Sequence, residues 1–325
     1  MAGRVKRGAL EPESAALVKQ LTAGDREVLD HSDVAGLRAK MSDFMKACGP
    51  KRLPIKRSEN RRASIDGREV ATIVYWPPDE PDRTATEHGR PILLYFHGGA
   101  FTHFSAQTHD AVARYLCNKG GCIVVNVDYR LAPEHKFPAA VEDAYTALCW
   151  AARYSADLGG NPRKIAVAGE SAGGTICVAL CLMAKQHGRP AIALQIPLCA
   201  SLTLNGLERY ESWQELGGGE FLLSKGAIDD IRSLYLTRPE EAADPLASPI
   251  LAPDLAGLPP ALVLTAEFDP LVDEAAHYAQ RLRDAGVPVT YRCFDGTVHS
   301  FMIMAGIISL GYSALDLVAA RVRSL

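Results

Sequence analysis

Gly169-Glu170-Ser171-Ala172-Gly173 stands directly behind the apolar run Lys164-Ile165-Ala166-Val167-Ala168 and ahead of a small-residue, apolar run that continues to Ala184. A serine hydroxyl is a weak nucleophile unless a sharp turn exposes it beside a base. Gly-x-Ser-x-Gly between a strand and a helix is the pattern such a turn requires, and here it sits between a buried-type strand and a helical run. Earlier in the chain, His97-Gly98-Gly99-Ala100-Phe101 follows another apolar run. Consecutive glycines let backbone N–H groups face a cavity. An oxyanion hole needs such donors about 2.7–3.1 Å from the developing negative oxygen. Gly98, Gly99 and the Ala172 N–H are the expected donors, with His97 fixing the loop through a structural hydrogen bond.

A base and an orienting acid should follow the serine, acid first and histidine last. Two histidines follow the fifth apolar strand, His277 and His299. His277 lies in an amphipathic helical run and reads as a helix-packing residue. His299 lies in Asp295-Gly296-Thr297-Val298-His299-Ser300, leaving the last strand, and fits the base. Asp269, opening the loop Asp269-Pro270-Leu271, is the expected acid; Asp295 is the runner-up and Glu267 the third choice. In that arrangement His299 takes the Ser171 proton as the oxygen attacks an acyl carbonyl, and Asp269 fixes the imidazole tautomer.

These residues need strand tips to hold them. Six apolar runs of four to eight residues predict strands: 91–96, 122–127, 165–168, 191–196, 261–266 and 289–294. Continuous apolar runs mean strands covered on both faces, hence a mostly parallel sheet flanked by helices, whose chemistry gathers at the strands' carboxyl ends. A β-rich run over Val70–Trp76 precedes them. Residues from about Ala15 to Gly49 read as helical, with Val34, Leu37, Met41, Phe44, Met45 and Cys48 at helix spacing. The basic stretch from Lys51-Arg52 to Arg61-Arg62 reads as a solvated linker. Ser201 to about Leu258 is a long excursion between the fourth and fifth of the six strands.

With 325 residues, 48% of them hydrophobic, the chain can bury a large core. A net charge of −3 gives no basic field for nucleic acid. No apolar stretch is long enough to span a bilayer or to serve as a signal peptide, so stable membrane insertion is not expected. None of the eight cysteines forms a Cys-x-x-Cys pair. They read as buried thiols in a reducing cytoplasm, and no metal site is expected.

The joint occurrence of His97-Gly98-Gly99, Asp128-Tyr129-Arg130-Leu131-Ala132-Pro133-Glu134, Phe137-Pro138-Ala139-Ala140, Gly169-Glu170-Ser171-Ala172-Gly173-Gly174, Asp269-Pro270-Leu271 and His299 resembles the hormone-sensitive lipase family of α/β-hydrolases, bacterial family IV esterases included. The resemblance spans roughly residues 65 to 325. It implies an α/β-hydrolase fold, hydrolysis of a small carboxylic ester without metal or organic cofactor, and a homodimer as one form open to the chain. It also implies a helical cap, here residues 1–55 and 201–240, over a core of 56–200 and 241–325. Ala100 stands where the family has a third glycine, and Glu170 where it more often has Asp. Phe104 is expected to narrow the pocket; Met41, Phe44, Met45, Trp213 and Phe221 are candidate walls. Short-to-medium acyl esters are the expected substrates. Amide or lactone hydrolysis uses the same machinery, and a non-catalytic small-molecule receptor on this fold is the alternative from another class.

Overall fold

The computed structural model describes residues 7–22, 33–78 and 89–325. Its strands are β1 (Arg57–Ile65), β2 (Arg68–Trp76), β3 (Arg90–Phe96), β4 (Ile123–Asp128), β5 (Gly160–Glu170), β6 (Leu194–Leu198), β7 (Ala261–Phe268) and β8 (Val289–Val298). They form one eight-stranded sheet in the order β1-β2-β4-β3-β5-β6-β7-β8. β1 and β2 pair antiparallel, as do β2 and β4, and every pairing from β4 to β8 is parallel. The helices are α1 (Pro12–Thr22), α2 (Val34–Cys48), α3 (Asp110–Gly120), α4 (Ala139–Arg153), α5 (Ser155–Leu158), α6 (Ala172–His187), α7 (Glu211–Leu216), α8 (Lys225–Tyr235), α9 (Val272–Asp284) and α10 (Leu310–Arg323).

Side-chain alternation along the strands explains the layers. On β3, Ile92, Leu94 and Phe96 join the core that holds α4, α6 and α9. Leu93 and Tyr95 point the other way, into the core that holds α3 and α10. Both faces are therefore buried, which is why the run reads as continuously apolar. Each such Leu or Ile side chain contributes about 1.5–3 kcal/mol when withdrawn from water.

Two local expectations are corrected. Part of the basic stretch is β1, not linker. An edge strand pairs on one side only, so its charged side chains stay solvated and its apolar pattern is faint; Ala63 alone is buried along it. The strand placed at 191–196 begins later, as β6. The N-terminal helical region holds α1 and α2, while the stretch between them, 23–32, lies outside the described residues.

The parallel strands deliver their carboxyl ends to one side. Helix α2 and the helices of the excursion touch the loops there. The Phe101 and Tyr235 rings stack at 3.8 Å between centroids. Ser212 Oγ donates to the Pro270 carbonyl at 2.8 Å. Among the described residues no helix is long and apolar enough to cross a membrane.

Candidate active site

The β5–α6 junction is built for close approach. A Cβ on Gly169 would overlap the Gly173 carbonyl, and one on Gly173 would overlap the Phe96 carbonyl. Only hydrogen at both positions lets the first turn of α6 lie against the ends of β5 and β3. Ser171 between them has φ 53° and ψ −120°, a backbone state that costs a non-glycine residue of order 1–3 kcal/mol. Hydrogen bonds over-determine it. Ser171 N donates to the Leu198 carbonyl at 2.9 Å, and the Ser171 carbonyl accepts from Gly174 at 2.9 Å and Thr175 at 3.2 Å.

Two later strands bring their residues to this hydroxyl. His299, just past β8, places Nε2 3.0 Å from Ser171 Oγ. Its Nδ1 lies 2.8 Å from Asp269 Oδ2, just past β7. Asp269 is fully buried, and its other oxygen accepts from the Leu271 N–H at 2.9 Å. The carboxylate fixes the proton on Nδ1 and leaves Nε2 able to accept the serine proton. Burial opposes a charge on His299, but the Asp269 charge and hydrogen bond, with Glu170 adding, outweigh it and hold the imidazole above its ordinary pKa.

The other candidates sit elsewhere. Asp295 is exposed. The buried Glu267 accepts from the Gly8 and Gly296 N–H groups, the latter at 2.6 Å, and so joins the N-terminal segment to the end of β8 ahead of His299. His277 pairs with the Tyr210 hydroxyl at 3.0 Å.

The loop after β3 corrects one expectation. The Gly98 N–H is already engaged, donating to Glu170 Oε1, so it does not face a substrate. Thr102 and His103 both donate to the Gly99 carbonyl, at 2.9 and 3.0 Å, closing a tight turn in which Gly99, Ala100 and Phe101 have φ of 95°, 54° and 61°. Among the described residues the N–H groups of Gly99, Ala100 and Ala172 have no acceptor. His97 plays the expected structural part. Its Nδ1 bonds the Gly98 carbonyl at 2.8 Å, and its ring stacks on Tyr129 at 4.3 Å. Burial, with His109 and His103 adding, pushes its pKa well down, so the ring is neutral.

Sequence reasoning left Glu170 without a partner. The buried carboxylate accepts from the Tyr95 hydroxyl at 2.8 Å and lies 3.2 Å from His109 Nε2, besides holding Gly98. Arg38 of α2 was missed altogether. It donates through Nε to the Thr102 carbonyl at 2.8 Å and through Nη2 to the Ala132 carbonyl at 3.1 Å. Its partners lie over 60 residues away in sequence, so no local signal marks it. Among the wall candidates, Met45 and Trp213 are buried in the two cores and Met41 and Phe44 are half-buried. The Phe221 ring lies 5.4 Å from that of Phe268, next to Asp269. Phe104 packs edge-on against His103 and His109, backing the loop.

A hydroxyl on a strained strand–helix turn, bonded to an imidazole that follows a later strand, on a mainly parallel sheet, is the α/β-hydrolase arrangement. A family model described as alpha/beta hydrolase fold matches residues 93–303, and the chain belongs to that family. Carboxylesterase NlhH of Mycobacterium tuberculosis is 38% identical over 263 residues, 80% of each chain. An arylesterase of Saccharolobus solfataricus is 34% identical over 270 residues, 82% of this chain and 83% of that one. A hyperthermophilic esterase from the archaeon Pyrobaculum calidifontis superposes with a TM-score of 0.87 at 37% identity, covering 98% of this chain and 99% of that one.

Proposed function

We propose that the protein is a carboxylic ester hydrolase of the hormone-sensitive lipase type, acting on small esters with short-to-medium acyl chains. The observation that carries the reading is the relay from Ser171 Oγ to His299 at 3.0 Å and from His299 to Asp269 at 2.8 Å. His299 Nε2 accepts the hydroxyl proton as Ser171 Oγ bonds to the ester carbonyl carbon, and the carbonyl oxygen becomes an oxyanion. The Gly99, Ala100 and Ala172 N–H groups stabilise that oxygen, with Ala100 in the place expected for Gly98. The imidazolium then protonates the departing alkoxide as the C–O bond breaks, leaving an acyl-serine. Water, deprotonated by the same imidazole, attacks the acyl carbon, and the proton returns to Ser171.

Helices α1 and α2 and the excursion (201–240) form a cap over this chemistry, and Phe221 and α2 supply its walls. Relatives named as esterases support the substrate class. The eight free cysteines, all buried or half-buried, support a reducing cytoplasm as its location. The test is release of nitrophenol from nitrophenyl esters of graded acyl length, with Ser171→Ala beside the wild type. Wild-type turnover that peaks at short or medium chains and vanishes in a folded Ser171→Ala is expected. Equal inertness of both folded proteins would return the reading to a receptor.

A further inference from the structure

We propose that Arg38 is a positioning residue, through which the seating of helix α2 sets the geometry of the oxyanion loop. The inference rests on the assignment of Gly99 and Ala100 to that loop. Ala100 and Phe101 are consecutive non-glycine residues at positive φ, a conformation that local sequence does not favour. Such a turn keeps its shape only when tied from outside. One end is tied by Glu170 through the Gly98 N–H. The other end is tied by Arg38, whose Nε donates to the Thr102 carbonyl at 2.8 Å. A second path closes the circuit. The Phe101 carbonyl accepts from the Ala132 N–H at 2.9 Å, and the Ala132 carbonyl accepts from Arg38 Nη2 at 3.1 Å.

The far edge of the guanidinium forks onto Glu134, with Nη1 to Oε1 at 2.7 Å and Nη2 to Oε2 at 2.8 Å. A two-point fork fixes the plane of the group, which a single contact does not do. Arg38 holds the Glu134 pKa down to about 2, so the fork persists across any working pH. About one turn beyond Arg38 on α2 comes Met41, followed by Phe44, both half-buried. The helix proposed to wall the substrate therefore also grips the loop that stabilises the oxyanion. An ester that displaces α2 would move Thr102 with it.

The plain alternative is an ordinary ion pair. The Arg38 and Glu134 side chains are 31% and 53% exposed, and exposed pairs contribute little to stability. The two readings separate because positioning acts on turnover, whereas a surface pair barely affects anything. Removing one oxyanion donor outright costs about 10²–10³-fold in kcat, so a loop released at one end should cost about ten-fold or more.

The experiment measures kcat, KM, melting temperature and affinity for a trifluoromethyl ketone, which forms a tetrahedral adduct, in Arg38→Met, Arg38→Lys and Arg38→Ala. Arg38→Met should lose about ten-fold or more in kcat and lose ketone affinity in parallel, with KM within about two-fold and melting little changed. Arg38→Lys should fall between, because an ammonium cannot span both carbonyls and the fork. Ethylguanidinium should restore part of the Arg38→Ala turnover. A folded Arg38→Met with wild-type kcat and ketone affinity overturns the inference, as does loss that merely tracks the unfolded fraction and is not rescued. Ser171→Ala, run in parallel, keeps the parent reading separate: activity surviving there removes the serine mechanism whatever Arg38 does.

Discussion

In the proposed mechanism His299 must be neutral to accept the Ser171 proton, so its pKa would set the acid limb of activity. Asp269 holds that pKa above the ordinary value of about 6.5. Activity should therefore rise with pH along a limb whose midpoint lies above about 6.5, and kcat/KM should report it for the free enzyme. The linkage runs the other way. A raised folded-state pKa contributes stability that is fully present below about 6.5 and is lost as pH climbs through the folded value. The enzyme thus becomes active over the window in which this contribution fades. Asp269→Asn removes the charge and permits the wrong tautomer. It should cut kcat roughly 10³–10⁴-fold and move the limb to lower pH, since burial is then opposed by Glu170 without Asp269. Asp295→Asn, at an exposed position, should leave rate and limb unchanged. Limb midpoints from pH–rate profiles of the three proteins decide it, and an unmoved limb in Asp269→Asn would remove Asp269 as the orienting acid.

At the scale of elements, what was legible in the sequence is what a strand end must carry. Ser171, Asp269 and His299 each follow an apolar run, and the structure brings them within hydrogen-bond reach of one another. The Gly98 N–H was misread because its acceptor is a side chain 72 residues later. Gly-Gly signals backbone approach but not what approaches. β1 escaped because pairing on one side leaves charged residues such as Arg57 and Arg61 free to lie over the Trp76 ring, at 4.1 and 5.6 Å. Glu170 shows what such long-range ties do. It anchors the β3 loop to the serine turn, and its charge also helps hold up the His299 pKa. Glu170→Gln would replace an acceptor of three donors with an amide that must turn an N–H toward one of them. About ten-fold or more should be lost from kcat, with the acid limb displaced slightly downward and KM little changed. A fall in KM-dependent binding alone, with kcat and limb intact, would make Glu170 a pocket residue rather than a loop anchor.

For the whole molecule, the question is what keeps the N-terminal segment fastened to the two strands that carry Asp269 and His299. Glu11 N donates to the Gly296 carbonyl at 3.0 Å, Arg7 pairs with Glu215, and Glu13 accepts from the Ser309 N–H at 2.6 Å. The central tie is Glu267, only 3% exposed, which accepts the Gly8 and Gly296 N–H groups together. It stands two residues before Asp269, and Gly296 three before His299. Glu267→Ala leaves two backbone donors without an acceptor, at about 1–3 kcal/mol each. Glu267→Gln keeps one amide oxygen to accept and should cost less. At roughly 2–4 °C per kcal/mol for a chain of this size, calorimetric melting should fall in the order wild type, Glu267→Gln, Glu267→Ala. Amide exchange should quicken first at Gly8 and Gly296, because the donors that lose their acceptor open before the rest of the sheet. Melting of Glu267→Ala at the wild-type temperature, with both amides still protected, would mean that the N-terminal segment is held by its other contacts and that this carboxylate is incidental to it.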